Sequence, residues 1–336
     1  MLSKIEYPKT AKCFLNWCKS NIKWENTYYN LGSPRPFDVT LRDGLQCLTK
    51  EEQIHYTFEK KINLYKEIVV KHNPKNIEIG SLTSAKLLPI FNDSIKLFLH
   101  LEEEKEKEET EKKLIDIDSE LNYHYLSVNA KPENYILVPN QQKLLQTINY
   151  KEFNNFSFIT SVSESFQKKN IKMSLNDSDK DLLDMTYLLE DHLCHKTPKI
   201  KLYVSCINEC PIEGKINNDF VIDRIIKLYN SLKPDTICLS DTCGTLNTTD
   251  FEYIVDNCNS LGLPFSKMSL HLHVKINREN EVENIIHKAL DRKMINFDVS
   301  ILESGGCSIT IQKKDLAPNV SYDLYYKSLV NYILNY

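Results

Sequence analysis

The chain of 336 residues contains only 8 glycines, about a third of ordinary usage. Glycine is therefore kept for places where the backbone turns sharply or must approach another segment closely. Arginine is scarce too: Arg35, Arg42, Arg224, Arg278 and Arg292 stand among 42 basic residues. No apolar run approaches the roughly 18 residues that a membrane span needs. The 42 basic and 46 acidic residues leave a net charge of −4, which supplies neither a basic footprint for nucleic acid nor an acidic tail. Ten cysteines over this length fall below the density of a disulfide scaffold. Cys206 and Cys238 lie inside apolar runs, so the cysteines read as free thiols in a reducing compartment. Cys206 and Cys210 have no second pair to complete a metal clip. The first twenty residues have no apolar signal core and include Glu6 and Pro8 without arginine. The expected location is cytoplasmic, with a mitochondrial one left open.

Length and composition fit a soluble domain with a sizeable core, and a single αβ barrel with insertions fits as well as two smaller domains. Eight β-rich apolar runs cross the chain: FDVTL (37–41), NIEIG (76–80), YILVP (135–139), FSFIT (156–160), KLYVS (201–205), TICLS (236–240), MSLHLHV (268–274) and FDVSIL (297–302). Most are nearly continuous rather than alternating, as in parallel strands covered on both faces. Amphipathic stretches such as 220–232 and 279–293 lie between them, with apolar residues near i, i+3, i+4 and i+7. Strand–helix alternation eight times over predicts an α/β (β/α)8 TIM barrel across 37–336, preceded by an N-terminal extension at 1–36. A doubly wound open sheet is the second choice. Residues 102–113, EEEKEKEETEKK, have no apolar member and read as a solvated charged insertion.

In a barrel of this kind the site lies at the C-terminal ends of the strands. The residues there are Arg42-Asp43-Gly44, Gly80-Ser81 with Glu78 inside the strand, Ser205-Cys206, Asp241-Thr242-Cys243-Gly244, His271-Leu272-His273, and Glu303-Ser304-Gly305-Gly306-Cys307. Packing alone does not put polar and ionisable residues at the same end of so many strands. His-x-His on a strand aims both imidazoles at one face, because side chains alternate with period two. Asp43, on a strand adjacent after closure, completes a candidate divalent-metal set. Taken alone, the His pair would more often be satisfied by neighbouring strands. Arg42 could equally be a salt bridge at the barrel mouth, but its scarcity favours a use of its fork geometry.

These residues together resemble the 3-hydroxy-3-methylglutaryl-CoA lyases, a family of metal-dependent TIM-barrel enzymes. The resemblance is carried by RDGLQ (42–46), YVSCINECPIEGKI (203–216), SDTCGT (240–245), HLH (271–273) and GGC (305–307). Weaker segments are IEIGSLTSAKLLP (77–89), VPN (138–140), SESFQKKNIKMS (163–174) and PNVSYDL (318–324). The resemblance implies retro-Claisen cleavage of 3-hydroxy-3-methylglutaryl-CoA, or a related 3-hydroxyacyl-CoA, to acetyl-CoA and acetoacetate. It implies Mg²⁺ or Mn²⁺ held by Asp43, His271, His273 and Asn319. It makes Arg42, Cys307, Asp241 and His271 the catalytic set, with Arg42, Glu78, Tyr203 and Asp241 contacting substrate. Cys307 falls on a mobile loop after strand eight. The partner implied is an acyl-CoA, without nucleic acid or membrane, in a homodimer.

The chain departs from that pattern in four places, one of them after Asn319, where one residue of the family's Glu-Asp pair is lacking and Asp323 is left. Val274 stands where the family has Asp, Cys47-Leu48-Thr49 where it has Asn-Glu-Lys, and the segment after GGC, SITIQKKDLAP (308–318), is longer and lacks glycine. Two alternatives stay open beside the lyase: a Claisen-condensing synthase of the isopropylmalate or homocitrate type, and a non-catalytic barrel that binds metal or acyl-CoA.

Overall fold

A computed structural model describes residues 7–19, 35–115, 131–192 and 197–335. Eight parallel strands form one sheet: β1 (Phe37–Asp38), β2 (Asn76–Ser81), β3 (Glu133–Leu137), β4 (Asn155–Ser161), β5 (Lys199–Ser205), β6 (Thr236–Asp241), β7 (Met268–Leu272) and β8 (Asp298–Val299). Their order is β8-β1-β2-β3-β4-β5-β6-β7. A parallel bridge between Leu270 and Phe297 joins β7 to the start of β8 and closes the barrel. Every strand coincides with one of the eight apolar runs, and the barrel expectation is met.

Helices follow the strands and cover them: α2 (Phe58–His72), α3 (Ser94–Ile115), α4 (Glu164–Asn170), α5 (Leu175–His192), α6 (Asn218–Leu232), α7 (Thr248–Ser260), α8 (Glu279–Asp291) and α9 (Tyr322–Leu334). Their apolar stripes explain the packing. On α6, Val221, Ile222, Ile225, Leu228 and Leu232 are buried. On α8 the buried set is Val282, Ile285, Ile286, Ala289 and Leu290. Asn217 caps α6 by accepting the amides of Asp219 and Phe220, which satisfies donors that the helix start leaves open. Together the stripes and the outer strand faces make a large common apolar core.

The charged run is helical. It is the second half of the 22-residue helix α3. Glu102 still reaches Asn134, and Glu104 reaches Lys66, but Glu106 to Thr110 are exposed. Of the N-terminal extension, Tyr7 and α1 (Ala11–Lys19) lie against α9. Tyr7 donates its hydroxyl to Asn331 Oδ1 at 3.0 Å, and the Phe14 ring stacks on Tyr326 at 5.4 Å. Residues 1–6 and 20–34 of the extension lie outside the described residues.

Candidate active site

Strand β1 is only two residues long because its own side chain ends it. Asp38 Oδ1 accepts the Thr40 amide at 2.8 Å, and Asp38 Oδ2 accepts the Tyr322 hydroxyl at 2.9 Å. The backbone then runs through one wide π-helical turn, Thr40–Gly44, closed by Gly44 N–H to the Val39 carbonyl. That turn swings Arg42 and Asp43 into the barrel mouth, both buried. Gly44 is needed there, since a Cβ would sit 3.0 Å from Ser300 Oγ.

Asp43 is the hub. Its Oδ2 accepts the Gly306 amide at 2.9 Å and Asn319 Nδ2 at 3.0 Å. His273 Nε2 lies 3.6 Å from the same oxygen and His271 Nε2 3.9 Å. Its other oxygen takes the Arg42 guanidinium. Burial by itself would raise this carboxyl, but the Arg42 charge holds it well below the usual carboxylate range. Arg42 is gripped from the far side by Glu78, whose Oε2 also accepts the Tyr203 hydroxyl at 3.3 Å. The guanidinium carbon lies 5.0 Å from the Tyr203 ring centroid. These contacts leave Arg42 one orientation, facing a cavity of about 410 Å³.

The two histidines are aimed by different partners. His273 Nδ1 lies 2.9 Å from the Asp241 carbonyl oxygen, and His271 Nδ1 lies 3.1 Å from Asp298 Oδ2. Both acceptors favour a proton on Nδ1, which in the neutral ring leaves Nε2 bare toward Asp43. Asp43, His271 and His273 offer ligand atoms within 4.8 Å of one another, the one such cluster among the described residues. His273 Nε2 and Asn319 Oδ1 are buried without a hydrogen-bond partner. Buried acceptors left open are costly. A divalent cation among one carboxylate, two imidazoles and an amide oxygen removes both vacancies, so the residues present fit the implied metal.

The lid carries the remaining group. Gly305 and Gly306 run so close to the centre that a Cβ on Gly305 would lie 2.6 Å from Asn319 Nδ2, and Gly306 has φ +93°. Cys307 follows, half-buried, with its thiol 3.3 Å from Asn170 Oδ1 at the end of α4. Burial pushes the Cys307 thiol above its usual value of 9.0, so it carries its proton at neutral pH.

Of the residues singled out in the sequence, the structure gathers Arg42, Asp43, Tyr203, His271, His273 and Cys307 around the cavity. Asn319 and Glu78 stand just behind, on Asp43 and Arg42. The Asp241 carboxylate is placed elsewhere: it accepts the amides of Thr245 at 3.1 Å and Leu246 at 2.9 Å. Burial raises its carboxyl against those two amides. Its link to the centre is the carbonyl on His273. Sequence reasoning did not single out Asn170, Lys201 or Asp298. Lys201 carried a signal, since it stands two residues before inward-facing Tyr203 and so shares its face.

No family model matches the chain. The hydroxymethylglutaryl-CoA lyase of Pseudomonas mevalonii is 27% identical over 173 residues, 51% of this chain and 54% of that protein. The chain thus matches about half the length of this curated relative. An HMG-CoA lyase from Acinetobacter baumannii, solved in complex with coenzyme A and 3-methylmalate, superposes with a TM-score of 0.66 at 21% identity, covering 89% of this chain and 88% of that one. The hydroxymethylglutaryl-CoA lyase of Pseudomonas aeruginosa gives 0.64 at 20% identity, covering 89% and 86%. The HMG-CoA lyase of Bacillus subtilis gives 0.61 at 20%, covering 90% and 91%. The resemblance read in the sequence and the barrel fold are both borne out.

Proposed function

We propose that the chain is a metal-dependent carbon–carbon lyase that cleaves 3-hydroxy-3-methylglutaryl-CoA, or a closely related 3-hydroxyacyl-CoA, by retro-Claisen chemistry. The observation that carries this reading is the convergence of Asp43, His271 and His273, with two open acceptor atoms, beneath a cavity bordered by Arg42 and Cys307. A Mg²⁺ or Mn²⁺ ion held by Asp43, His271, His273 and Asn319 would orient and acidify the tertiary hydroxyl of the substrate. Arg42, locked by Asp43 and Glu78, presents fixed positive charge where the thioester enolate develops as the C–C bond breaks. The hydroxyl gives up its proton to solvent in the cavity, the Cys307 thiol gives its own to the enolate carbon, and the thiolate left behind is reprotonated from solvent, so the step yields acetyl-CoA beside acetoacetate. Glu78 and Asp241 act through Arg42 and His273. The coenzyme A reported with the Acinetobacter relative supports an acyl-CoA as the ligand. We retain a homodimer as the assembly, which light scattering on purified protein tests.

The deciding experiment supplies purified protein with Mg²⁺ or Mn²⁺ and 3-hydroxy-3-methylglutaryl-CoA, then related acyl-CoAs, and measures acetoacetate or the matching keto product. Metal-dependent release supports the lyase. Condensation of acetyl-CoA with an α-keto acid would replace it by the synthase reading. Metal binding without turnover of any acyl-CoA would leave a non-catalytic barrel.

A further inference from the structure

The barrel interior holds a cation that the reaction above does not use. Lys201 points inward from β5 and is 3% exposed. Its ammonium pairs with Asp298 Oδ1, and it lies 3.4 Å from the Phe37 ring centroid and 4.6 Å from that of Tyr203. Asp298, on β8, is 1% exposed. Its second oxygen is the one 3.1 Å from His271 Nδ1. Lysine, carboxylate and imidazole thus form a line across the barrel, from β5 through β8 to β7, which ends on the nitrogen facing Asp43.

Packing does not account for this line. Taking an ammonium and a carboxylate out of water costs more than two apolar side chains of similar size would, unless the geometry is repaid elsewhere. What the pair supplies is direction. A carboxylate only accepts, so the His271 proton must sit on Nδ1. Lys201 fills the other oxygen of Asp298 and prevents that carboxylate from turning away. His273 obtains the same tautomer from a backbone carbonyl, which needs no such support.

We propose that Asp298, anchored by Lys201, is the positioning residue that fixes His271 in its Nδ1–H tautomer with Nε2 free for the divalent cation. The proposal rests on the metal-dependent reading of the same site. Outer partners of metal-bound histidines commonly tune affinity by about 10–100-fold, which sets the size of effect to look for.

The test begins with metal-free, ¹⁵N-histidine-labelled protein. Two-bond ¹H–¹⁵N correlations report which ring nitrogen carries the proton, and the His271 signals are assigned by their loss in His271→Gln. Wild type is expected to show His271 protonated on Nδ1; an Nε2–H signature overturns the proposal. The double variant Lys201→Met/Asp298→Leu removes both charges at once, so no lone buried ion remains. It should lose the Nδ1–H signature, and its Kd for Mn²⁺ by calorimetry should rise about 10–100-fold. Mn²⁺ bound at wild-type affinity by a folded double variant overturns the proposal. If that variant does not fold, the wild-type tautomer decides alone. Failure of wild type to bind Mn²⁺ at all sinks the metal reading instead, and is separately visible.

Discussion

Gly305→Ala perturbs the candidate centre without replacing a candidate ligand. A Cβ built on Gly305 would lie 2.6 Å from Asn319 Nδ2, 2.7 Å from Asn319 N and 2.8 Å from Asn319 Cγ. Ordinary contact begins at 3.4 Å, so the two segments must separate by about 0.8 Å. The side chain of Asn319 cannot absorb this alone, because its backbone nitrogen is equally close. That backbone is tied to β7 by the bridge between His273 and Asn319 and by Val274 N–H on the Pro318 carbonyl at 2.8 Å. Metal–ligand distances tolerate only about 0.2 Å. The variant should therefore lose Asn319 from the coordination set, together with the Gly306 amide on Asp43. Calorimetric titration with Mn²⁺ should show an affinity at least about tenfold weaker, with turnover falling in parallel at sub-saturating metal. The comparison is Gly214→Ala, also near the C-terminal end of the barrel but with nothing within 4 Å of its Cβ. It carries backbone strain of its own, φ +80°, yet should bind Mn²⁺ as wild type does. Equal affinity in Gly305→Ala and wild type would show that Asn319 is no ligand.

Three further outcomes follow from the same geometry. Cys307→Ser should lower kcat by orders of magnitude with Mn²⁺ affinity unchanged, since it removes a proton donor and no ligand; unchanged turnover would eliminate the role given to the thiol. His72, buried against the Tyr322 ring at 3.7 Å, has its pKa lowered by burial from 6.5 to about 4. Between those values the unfolded chain binds the extra proton, so stability is complete above pH 6.5 and is lost as pH falls toward 4. The loss is on the order of 3 kcal/mol, and denaturant melts of His72→Phe should lack it; parallel pH profiles for the two proteins would refute this. Deleting 103–112 removes exposed side chains and surface pairs such as Lys66–Glu104 and Lys131–Glu108. Such pairs contribute little, so Tm by calorimetry should move by no more than about 3 °C, and a fall of about 10 °C would mean that the helix end is integral to the barrel.

The barrel was legible because strands buried on both faces leave unbroken apolar runs, and all eight runs became strands. Their lengths were not legible. FDVTL and FDVSIL each suggest five or six strand residues, yet β1 and β8 hold two. In β1 the cause is local, since Asp38 captures the amide of Thr40 and diverts the backbone into the turn that presents Asp43. Period two placed His271 and His273 on one face, and both Nε2 atoms do meet Asp43. The rings are nonetheless nearly perpendicular, at 88°, because one is aimed by a carbonyl and the other by Asp298. Such aiming depends on partners distant in sequence, which no local pattern encodes. Lys201 shows part of the same limit: period two puts it on the inward face with Tyr203, but its partner is set only when closure puts Asp298 opposite it.

The departures at Cys47, Val274 and 308–318 bear on one mechanical question, how the lid is tied to the centre. The Cys47 thiol lies 2.7 Å from the Gly306 carbonyl, and Ser304 and Ser308 donate their hydroxyls to the carbonyls of Gly44 at 2.7 Å and Gln46 at 3.1 Å. The base of the lid is thus stitched to the turn after β1, with Cys47 as one of the stitches. Val274 contributes through its amide on the Pro318 carbonyl, a contact that any residue but proline can make at 274, so valine in place of an acid leaves this tie to the Asn319 segment intact. Beyond Gly306 no glycine follows until the chain ends, and Lys169 reaches the Thr310 carbonyl only at 3.4 Å. The backbone freedom of the segment is therefore greatest at Gly305–Gly306, the two residues that also touch Asn319 and Asp43. Displacing Cys307 by rotation at Gly306 would withdraw the amide that Asp43 accepts, so any movement of this segment and the geometry around Asp43 are mechanically coupled.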